Sequence, residues 1–573
     1  MASGVNTRSR PYMLTSSFTP PPTGAAPVTR PHFPLLRSEI LLEPRYLPGL
    51  GQVDLHYVAY DAVTDVELWV TAGEGHIMRA IQQLRGEFGT DAIAGFVKLH
   101  FEFDVSEPQI TACLRQLDAL QWLAKETPPH ALRELCSQTR RDGNRAEKLA
   151  RLKDSIQRMR EEVPYYRTLL GEHGLTEADL NNLDELGRFP RLTKDHLREH
   201  FDRLHPDSLR EHKAWWGELV WRSSSGSTGP RTQALAGADN YAYTLYETLG
   251  PLAPLRTSRQ CLFIPPACTG ATCHMETAIP YEKRILFGNT LLMNAFRNAC
   301  TVSDAVMEEY VSEIERFKPM GLMGAGSYIY PLARYLKRTK RKLPKIDFIH
   351  LHVEVCSRIH RRLLEEVFEC PVLGCYVSSE MGFAAVQCSR GSYHVGPGFH
   401  LEILAEGKPA KPGQMGRLVA TTLTTHNRLT PLLRYELGDL AVASAEPCAC
   451  SPLGHLDAIA SIEGRVAEVI VTGEGNVITP RAVDNAITEG PWCENIAYYN
   501  LVQEKGGRYL LEVVPQDKQA GFDNEGLIQT LQRLLGAQAE IEIKPREEIM
   551  PTLPAGRYRL CYSKMEPDLK ALP

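Results

Sequence analysis

The sequence predicts a layered α/β protein that ends in a small α+β lid and is preceded by an extra small α+β domain. Between residues 215 and 460, short β-rich runs alternate with helical ones (Val302 to Phe317, Ser327 to Arg338, Arg358 to Phe368), as helices laid against a sheet require. After Gly464 the pattern changes to a compact unit of about 110 residues, the size of one small domain. At 573 residues the chain exceeds what one hydrophobic core supports, so about two to four domains are expected.

Residues 1–36, rich in Pro, Ser, Thr and Gly, read as a disordered tail. Residues 37–140 read as the accessory domain. Strand-like runs span Leu55 to Tyr60 and Glu67 to Thr71, and Ile77, Ile81, Leu84 and Phe88 form a helical stripe. Val97, Leu99, Phe101 and Phe103 alternate with Lys98, His100 and Glu102, which predicts a further half-buried strand. Ser106-Glu107-Pro108 then starts a helix carrying Ile110, Leu114, Leu117 and Leu120. A docking or homodimerisation module is the preferred reading of this region, ahead of a second active site. The large domain is assigned to 141–463, entered by a charged helix over Ala146 to Glu162, and the lid to 464–573. The lid shows a strand near Glu468 to Thr472 and a hairpin at Gly506-Gly507 joining Ile496 to Gln503 with Tyr509 to Val514. A helix over Asn524 to Leu535 and a strand over Glu540 to Lys544 complete it.

A net charge of −5 without a long basic run gives no footprint for nucleic acid. No apolar stretch is long enough for a bilayer, and the N-terminus lacks a secretory pattern. The 14 cysteines are scattered, as suits reduced thiols in a cytoplasm.

Ser224, Ser225, Gly226, Ser227, Thr228 and Gly229 lie in a hydroxyl-and-glycine loop that follows an apolar, aromatic run, as a turn leaving a strand would. Such a backbone can bend tightly and aim successive N–H groups at an anion. No Lys-Ser or Lys-Thr closes it, so it is not the P-loop of the NTPases. Two further segments join it: Tyr376-Val-Ser-Ser379-Glu380-Met-Gly, and Arg434-Tyr-Glu-Leu-Gly-Asp439-Leu, with Gly464-Arg465-Val466 beyond.

In this order the segments resemble those of the adenylate-forming enzymes, which include acyl-CoA synthetases and the adenylation domains of peptide synthetases. The resemblance covers roughly residues 145 to 573. It is closest to the phenylacetate-CoA ligase branch, through Val163 to Tyr166 (Val-Pro-Tyr-Tyr) and Phe189 to Asp195 (Phe-Pro-Arg-Leu-Thr-Lys-Asp). It implies the adenylate-forming ligase fold and attack of a carboxylate on the α-phosphate of ATP. Thr228 of the phosphate loop, Glu380, Arg465 and Arg557 are the catalytic candidates. Glu380 would hold Mg²⁺, a hard cation that prefers oxygen. Asp439 would accept hydrogen bonds from both ribose hydroxyls. Tyr376, Ser379 and Glu354 would line the nucleotide site, Glu354 on the looser match of His352-Val-Glu354 to an adenine-flanking segment. Arg434 either contacts phosphate or braces its loop.

Cys388, His394, Cys448 and Cys450 form a second constellation, with Cys and His at places where some phenylacetate-CoA ligase-like proteins carry them. Three thiolates and an imidazole suit a closed, structural zinc site, and this reading is taken over free thiols. His455 is a spare ligand. Cys268, Cys273 and His274 read as pocket lining rather than a nucleophilic pair.

Two positions depart from the family pattern. Ala467 stands where a hinge aspartate is usual, with Glu468 next. Arg557 stands where a lysine reaches the carboxylate and α-phosphate, and Lys564 is a candidate replacement. The resemblance thus implies a ligase that activates a small carboxylic acid, with the thiol of CoA or of a carrier protein as acceptor. A nitrogen nucleophile is the alternative acceptor. A nucleotide-binding scaffold without turnover is the alternative of another class.

Overall fold

A computed structural model describes residues 12–13, 35–36, 40–48, 53–61, 66–84, 90–119, 123–124, 145–207, 219–223, 232–237, 259–265, 279–286, 290–296, 298–396, 398–423, 430–446, 448, 450, 457–517, 521, 523–552 and 556–565. Residues 224–229 of the hydroxyl-and-glycine loop lie outside the described residues, as do Cys268, Cys273, His274 and His455.

The accessory region is a four-stranded sheet in the order Tyr12–Met13, Val66–Thr71, Val53–Asp61, Ile40–Pro48. Helices Ala72–Leu84, Thr90–Phe101 and Glu107–Ala119 pack with it, and Ile77, Ile81, Ile93, Val97, Ile110 and Leu117 share a core with Tyr57 and Val70. The predicted strand at Val97 to Phe103 is therefore a correction: residues up to Phe101 belong to the helix Thr90–Phe101. The reason is the i, i+4 pair Ile93 and Val97, both buried, whereas Leu99 is 65% exposed. An apparent period of two was read off a helix that continues a stripe begun upstream.

The body is built on a sheet of thirteen strands. Its parallel part runs Thr290–Leu292, Gln260–Phe263, Gly321–Gly324, Phe348–Leu351 and Val372–Ser378. Gly321–Gly324 and Phe348–Leu351 are buried at every position, as parallel strands covered on both faces must be. Gly324 is required where it stands: its φ is +131°, and a Cβ there would lie 1.8 Å from the Phe263 carbonyl oxygen. The helices Asp304–Phe317, Gly326–Thr339 and Arg358–Phe368 present Ile314, Leu332 and Leu364 to one large core.

Val372–Ser378 is the turning point of the sheet. It pairs in parallel with Phe348–Leu351 on one side and antiparallel with Gly382–Gln387 on the other. Antiparallel strands Tyr393–Val395, Ala458–Arg465, Tyr435–Ala443, Met415–Thr422 and Phe399–Ala405 continue from there. Ligand crevices of α/β sheets form outside strand carboxyl ends at such switch points.

Beyond Arg465, a four-stranded sheet runs in the order Glu540–Pro545, Arg508–Pro515, Ile496–Gln503, Cys561–Ser563. Helices Pro480–Thr488 and Asn524–Leu535 close it around Val483, Ile487, Leu501, Leu511 and Leu531. This unit is docked on the body. The Tyr498 hydroxyl donates to the Ser327 carbonyl at 3.0 Å, the Tyr328 hydroxyl to the Gly556 carbonyl at 2.8 Å, and the Tyr558 hydroxyl to Asn298 Oδ1 at 2.8 Å. Among the described residues no helix is long and apolar enough to cross a membrane.

Candidate active site

The carboxyl end of Val372–Ser378 and the strand Tyr435–Ala443 bring Tyr376 and Asp439 together. The Tyr376 hydroxyl donates to Asp439 Oδ2 at 2.6 Å, and Arg465 Nε approaches Asp439 Oδ1 at 3.0 Å. Arg465 faces Asp439 across the ladder because the two are register partners in adjacent strands. Asp439 is only 6% exposed, so its charge is held by a phenol and a guanidinium rather than by bulk water. The Asp439 charge holds the Arg465 guanidinium firmly protonated. Burial, then the Asp439 charge, pushes the Tyr376 hydroxyl well above the usual phenol range. A carboxylate fixed by one bond to each oxygen still has lone pairs for a vicinal diol.

Glu380 follows the Ser378 turn, in which the Met381 N–H donates to Ser378 Oγ at 3.1 Å. Glu380 is buried, and its Oε1 accepts from the Tyr435 and Thr232 hydroxyls, each at 2.8 Å. A buried carboxylate that accepts from two neutral hydroxyls keeps its negative charge available to a cation. Thr232 and Tyr435 escaped the sequence analysis, since neither role has a local pattern.

Lys194 also escaped it, although its segment was singled out. The Leu192 N–H donates to the Arg434 carbonyl at 3.1 Å, and the Glu436 N–H donates to the Leu192 carbonyl at 2.9 Å. This strand-like pairing delivers the first residue of the helix Lys194–Glu199 to the site. A Cβ at Gly438, whose φ is +79°, would lie 3.1 Å from Lys194 Nζ, so glycine beside Asp439 leaves room for the ammonium. Burial and the nearby Arg465 lower the Lys194 pKa, opposed by Glu380 and Asp439 and reinforced by Arg557. The site thus gathers Lys194, Arg465 and Arg557 around Glu380 and Asp439.

Arg434 braces its loop: it pairs with Glu402 at 3.0 Å and donates to the Gly187 and Phe189 carbonyls at 3.0 and 2.7 Å. Glu354 accepts from the Ser327 N–H at 3.1 Å and the Tyr558 N–H at 3.3 Å, which ties the body to the lid beside Arg557. Burial raises the Glu354 pKa. Glu468, next to Ala467, is likewise raised by burial and sits among Arg557, Arg465 and Arg559. Lys564 pairs with Glu504 at 2.9 Å and does not line the cleft with Arg557. A cavity of ≈ 570 Å³ is lined by Glu354, Tyr376, Asp439, Arg465, Glu468 and Arg557, among others.

Cys388, His394, Cys448 and Cys450 converge on one another. Their ligand atoms all lie within 4.8 Å of one another, with Cys388 Sγ and Cys448 Sγ 3.8 Å apart and Cys450 Sγ 3.1 Å from His394 Nε2. Three sulfurs and one imidazole at this spacing are the donor set of a closed tetrahedral site.

No protein-family model matches the chain. A phenylacetate-coenzyme A ligase of Thermus thermophilus is 27% identical over 382 residues, covering 64% of this chain and 80% of that protein. A phenylacetate-coenzyme A ligase of Aromatoleum evansii is 24% identical over 441 residues, covering 74% and 87% respectively. Among solved structures, 2-hydroxyisobutyryl-CoA ligase in the postadenylation state, in complex with 2-HIB-AMP, superposes with a TM-score of 0.53. It is 18% identical and covers 73% of this chain and 89% of that one. The chain is thus similar in sequence to phenylacetate-coenzyme A ligases and shares its fold with 2-hydroxyisobutyryl-CoA ligase.

Proposed function

We propose that the protein is an ATP-dependent, AMP-forming ligase that activates a small carboxylic acid and passes it to a thiol. The observation that carries this is the convergence of Tyr376, Asp439 and Arg465 with Glu380, Lys194 and Arg557. Asp439 accepts from the ribose hydroxyls of ATP while Tyr376 and Arg465 keep its carboxylate oriented. The acid's oxygen attacks the α-phosphorus, and the bond to pyrophosphate breaks. Lys194 and Arg557 neutralise charge that gathers on the phosphates in the transition state. Glu380 would hold Mg²⁺, which supplies Lewis-acid neutralisation of the phosphate oxygens when bound. Arg557 keeps its proton throughout, because a guanidinium is not deprotonated near neutral pH. The Ser224 to Gly229 loop, with Thr228, is proposed to cradle the leaving phosphates.

A nitrogen acceptor remains the second reading, favoured by one feature. Arg557 replaces the compact ammonium of the family pattern with a broad planar head. For the thiolate-imidazole cluster we propose one structural zinc, since all its donors suit that ion.

The test is acid-dependent exchange of pyrophosphate into ATP over a panel of aryl, amino and aliphatic acids, followed by product analysis with CoA and with amines. Exchange with at least one acid is expected. No exchange with any, while ATP still binds, would favour the scaffold.

A further inference from the structure

We propose that His350 and His352 form a hydrogen-bonding floor for the acid, so that the acid this protein activates carries a hydroxyl group on an otherwise apolar body. This rests on the ligase reading above and names the class of its substrate. The two residues lie at the carboxyl end of the buried strand Phe348–Leu351, where the His352 N–H donates to the Gly324 carbonyl at 2.9 Å. Side chains alternate between the two faces along a strand. Leu351 and Val353 line the cavity that contains Asp439 and neither histidine does, so the imidazoles stand on the other face of the sheet.

That face is apolar and begins beside Glu380. Met323 is the register partner of both His350 and Leu262, and Leu373 is the partner of His350 on the other side. The Phe383 ring meets the His352 ring edge to face, with centroids 5.7 Å apart. Phe383 is in turn the register partner of Val377, and Glu380 sits in the turn between them. Leu262, Leu373 and Val377 are only partly buried, so the face is not sealed. An acid held with its carboxylate near Glu380 has this apolar surface beside it for the rest of the molecule.

The imidazoles are the exception within this surface. His350 is fully buried and His352 is 5% exposed, yet His350 Nδ1, His350 Nε2 and His352 Nε2 have no hydrogen-bond partner among the described residues. A buried polar atom left unpaired costs stability, so its retention calls for a group that supplies the missing bond. Burial keeps both rings neutral: reinforced by the nearby His352, it lowers the His350 pKa to about 3, and it lowers that of His352 to about 4. A neutral imidazole offers one N–H donor and one bare nitrogen acceptor, and a hydroxyl both accepts and donates. A second carboxylate or an ammonium would instead bring an unpaired charge into an apolar setting, which is costlier still.

The experiment compares matched acids on the full-length protein: phenylacetate with 4-hydroxyphenylacetate, benzoate with 3-hydroxybenzoate, and butyrate with 4-hydroxybutyrate. Each is followed by acid-dependent pyrophosphate exchange and, with AMP present, by calorimetry. In at least one pair the hydroxylated acid should be favoured roughly 10–100-fold, since its parent leaves buried polar groups unpaired. That preference should shrink in His350→Leu and in His352→Leu, vanish in the double variant, and survive in part in His352→Gln, which keeps a donor and an acceptor. Without acid, the leucine variants should melt at or above the wild-type Tm, because each removes an unpaired polar group. A marked fall in Tm would assign the imidazoles to packing and overturn the proposal. It is also overturned if no pair shows a preference, if no hydroxylated acid binds, or if the preference survives the double variant. Exchange without discrimination would remove this proposal and leave the ligase reading standing, whereas selective binding without exchange would do the reverse.

Discussion

The pocket around Asp439 and the junction around Glu354 are both built from buried carboxylates, but they are stabilised differently. Asp439 is held by Tyr376 and Arg465, which lie at the ends of sheet strands in the body. Glu354 is held across the cleft, with Ser327 on one lobe and Tyr558 on the other. The first arrangement lies within the sheet of the body, whereas the second joins the body to the C-terminal unit. Under the proposed ligase reading, nucleotide recognition would be built into the body, and Arg557 would be supplied from the side of the C-terminal unit.

This contrast can be broken or sharpened by substitution, beginning with the largest expected effect. Lys194→Ala should slow adenylate formation by about 10²–10³, the loss expected for one positioned donor to developing charge. Nucleotide affinity should change much less, and rapid-quench measurement of acyl-AMP against a nucleotide titration reads the split. Asp439→Ala leaves Tyr376 and Arg465 without their acceptor and should weaken AMP binding by roughly 1–3 kcal/mol. Calorimetry with AMP checks it, and unchanged affinity would remove Asp439 from the ribose site.

Arg557→Ala should reduce adenylate formation roughly 10–100-fold while AMP binding holds, since Arg557 belongs to the lid side of the contrast. Equal losses of both would show that the junction is part of nucleotide recognition. Removing the metal proposed at Cys388, His394, Cys448 and Cys450 should lower Tm by several degrees, by loss of a ligand that binds only the folded state. Elemental analysis should find about one zinc per chain, and Cys448→Ser/Cys450→Ser should abolish both the metal and the chelator effect.

The smallest effect concerns pH. Burial raises the Glu354 pKa above the ordinary 4.5, so the folded state holds its proton more tightly than the unfolded chain. Its stabilising contribution is full below 4.5 and is lost as pH rises through the folded value. Glu354→Gln should therefore gain Tm relative to wild type on going from pH 4 to pH 7, and a difference independent of pH would refute the assignment.

What the sequence disclosed follows the same division. Asp439, Glu380 and Arg465 could be named as candidates because each sits in a short ordered segment, and the helix Asn524–Leu535 was legible from its own periodicity. Lys194 was not, because its place depends on Leu192 pairing with the backbone on either side of Tyr435, far away in the chain. The bracing of Arg434 by Glu402 and the cross-lobe bonds of Glu354 are tertiary facts of the same kind. The helix at Thr90–Phe101 was misread in its final turns because a short window of alternating residues hid the longer stripe from Ile93. The thiolate cluster could be named from residue types, but its convergence depended on the strand Tyr393–Val395 pairing with Ala458–Arg465.

The tyrosines where the lobes meet have a thermal consequence. Tyr328, Tyr330, Tyr498 and Tyr558 are all buried, and their rings lie 5.2–6.0 Å apart in successive contacts. An opening of the C-terminal unit would wet part of this aromatic belt, and exposing aromatic surface carries a positive heat-capacity change. If opening limits the cycle, the logarithm of turnover plotted against reciprocal temperature should bend rather than run straight. Tyr498→Phe, which removes the bond to the Ser327 carbonyl but keeps the ring, should shift the rate while leaving that bend in place.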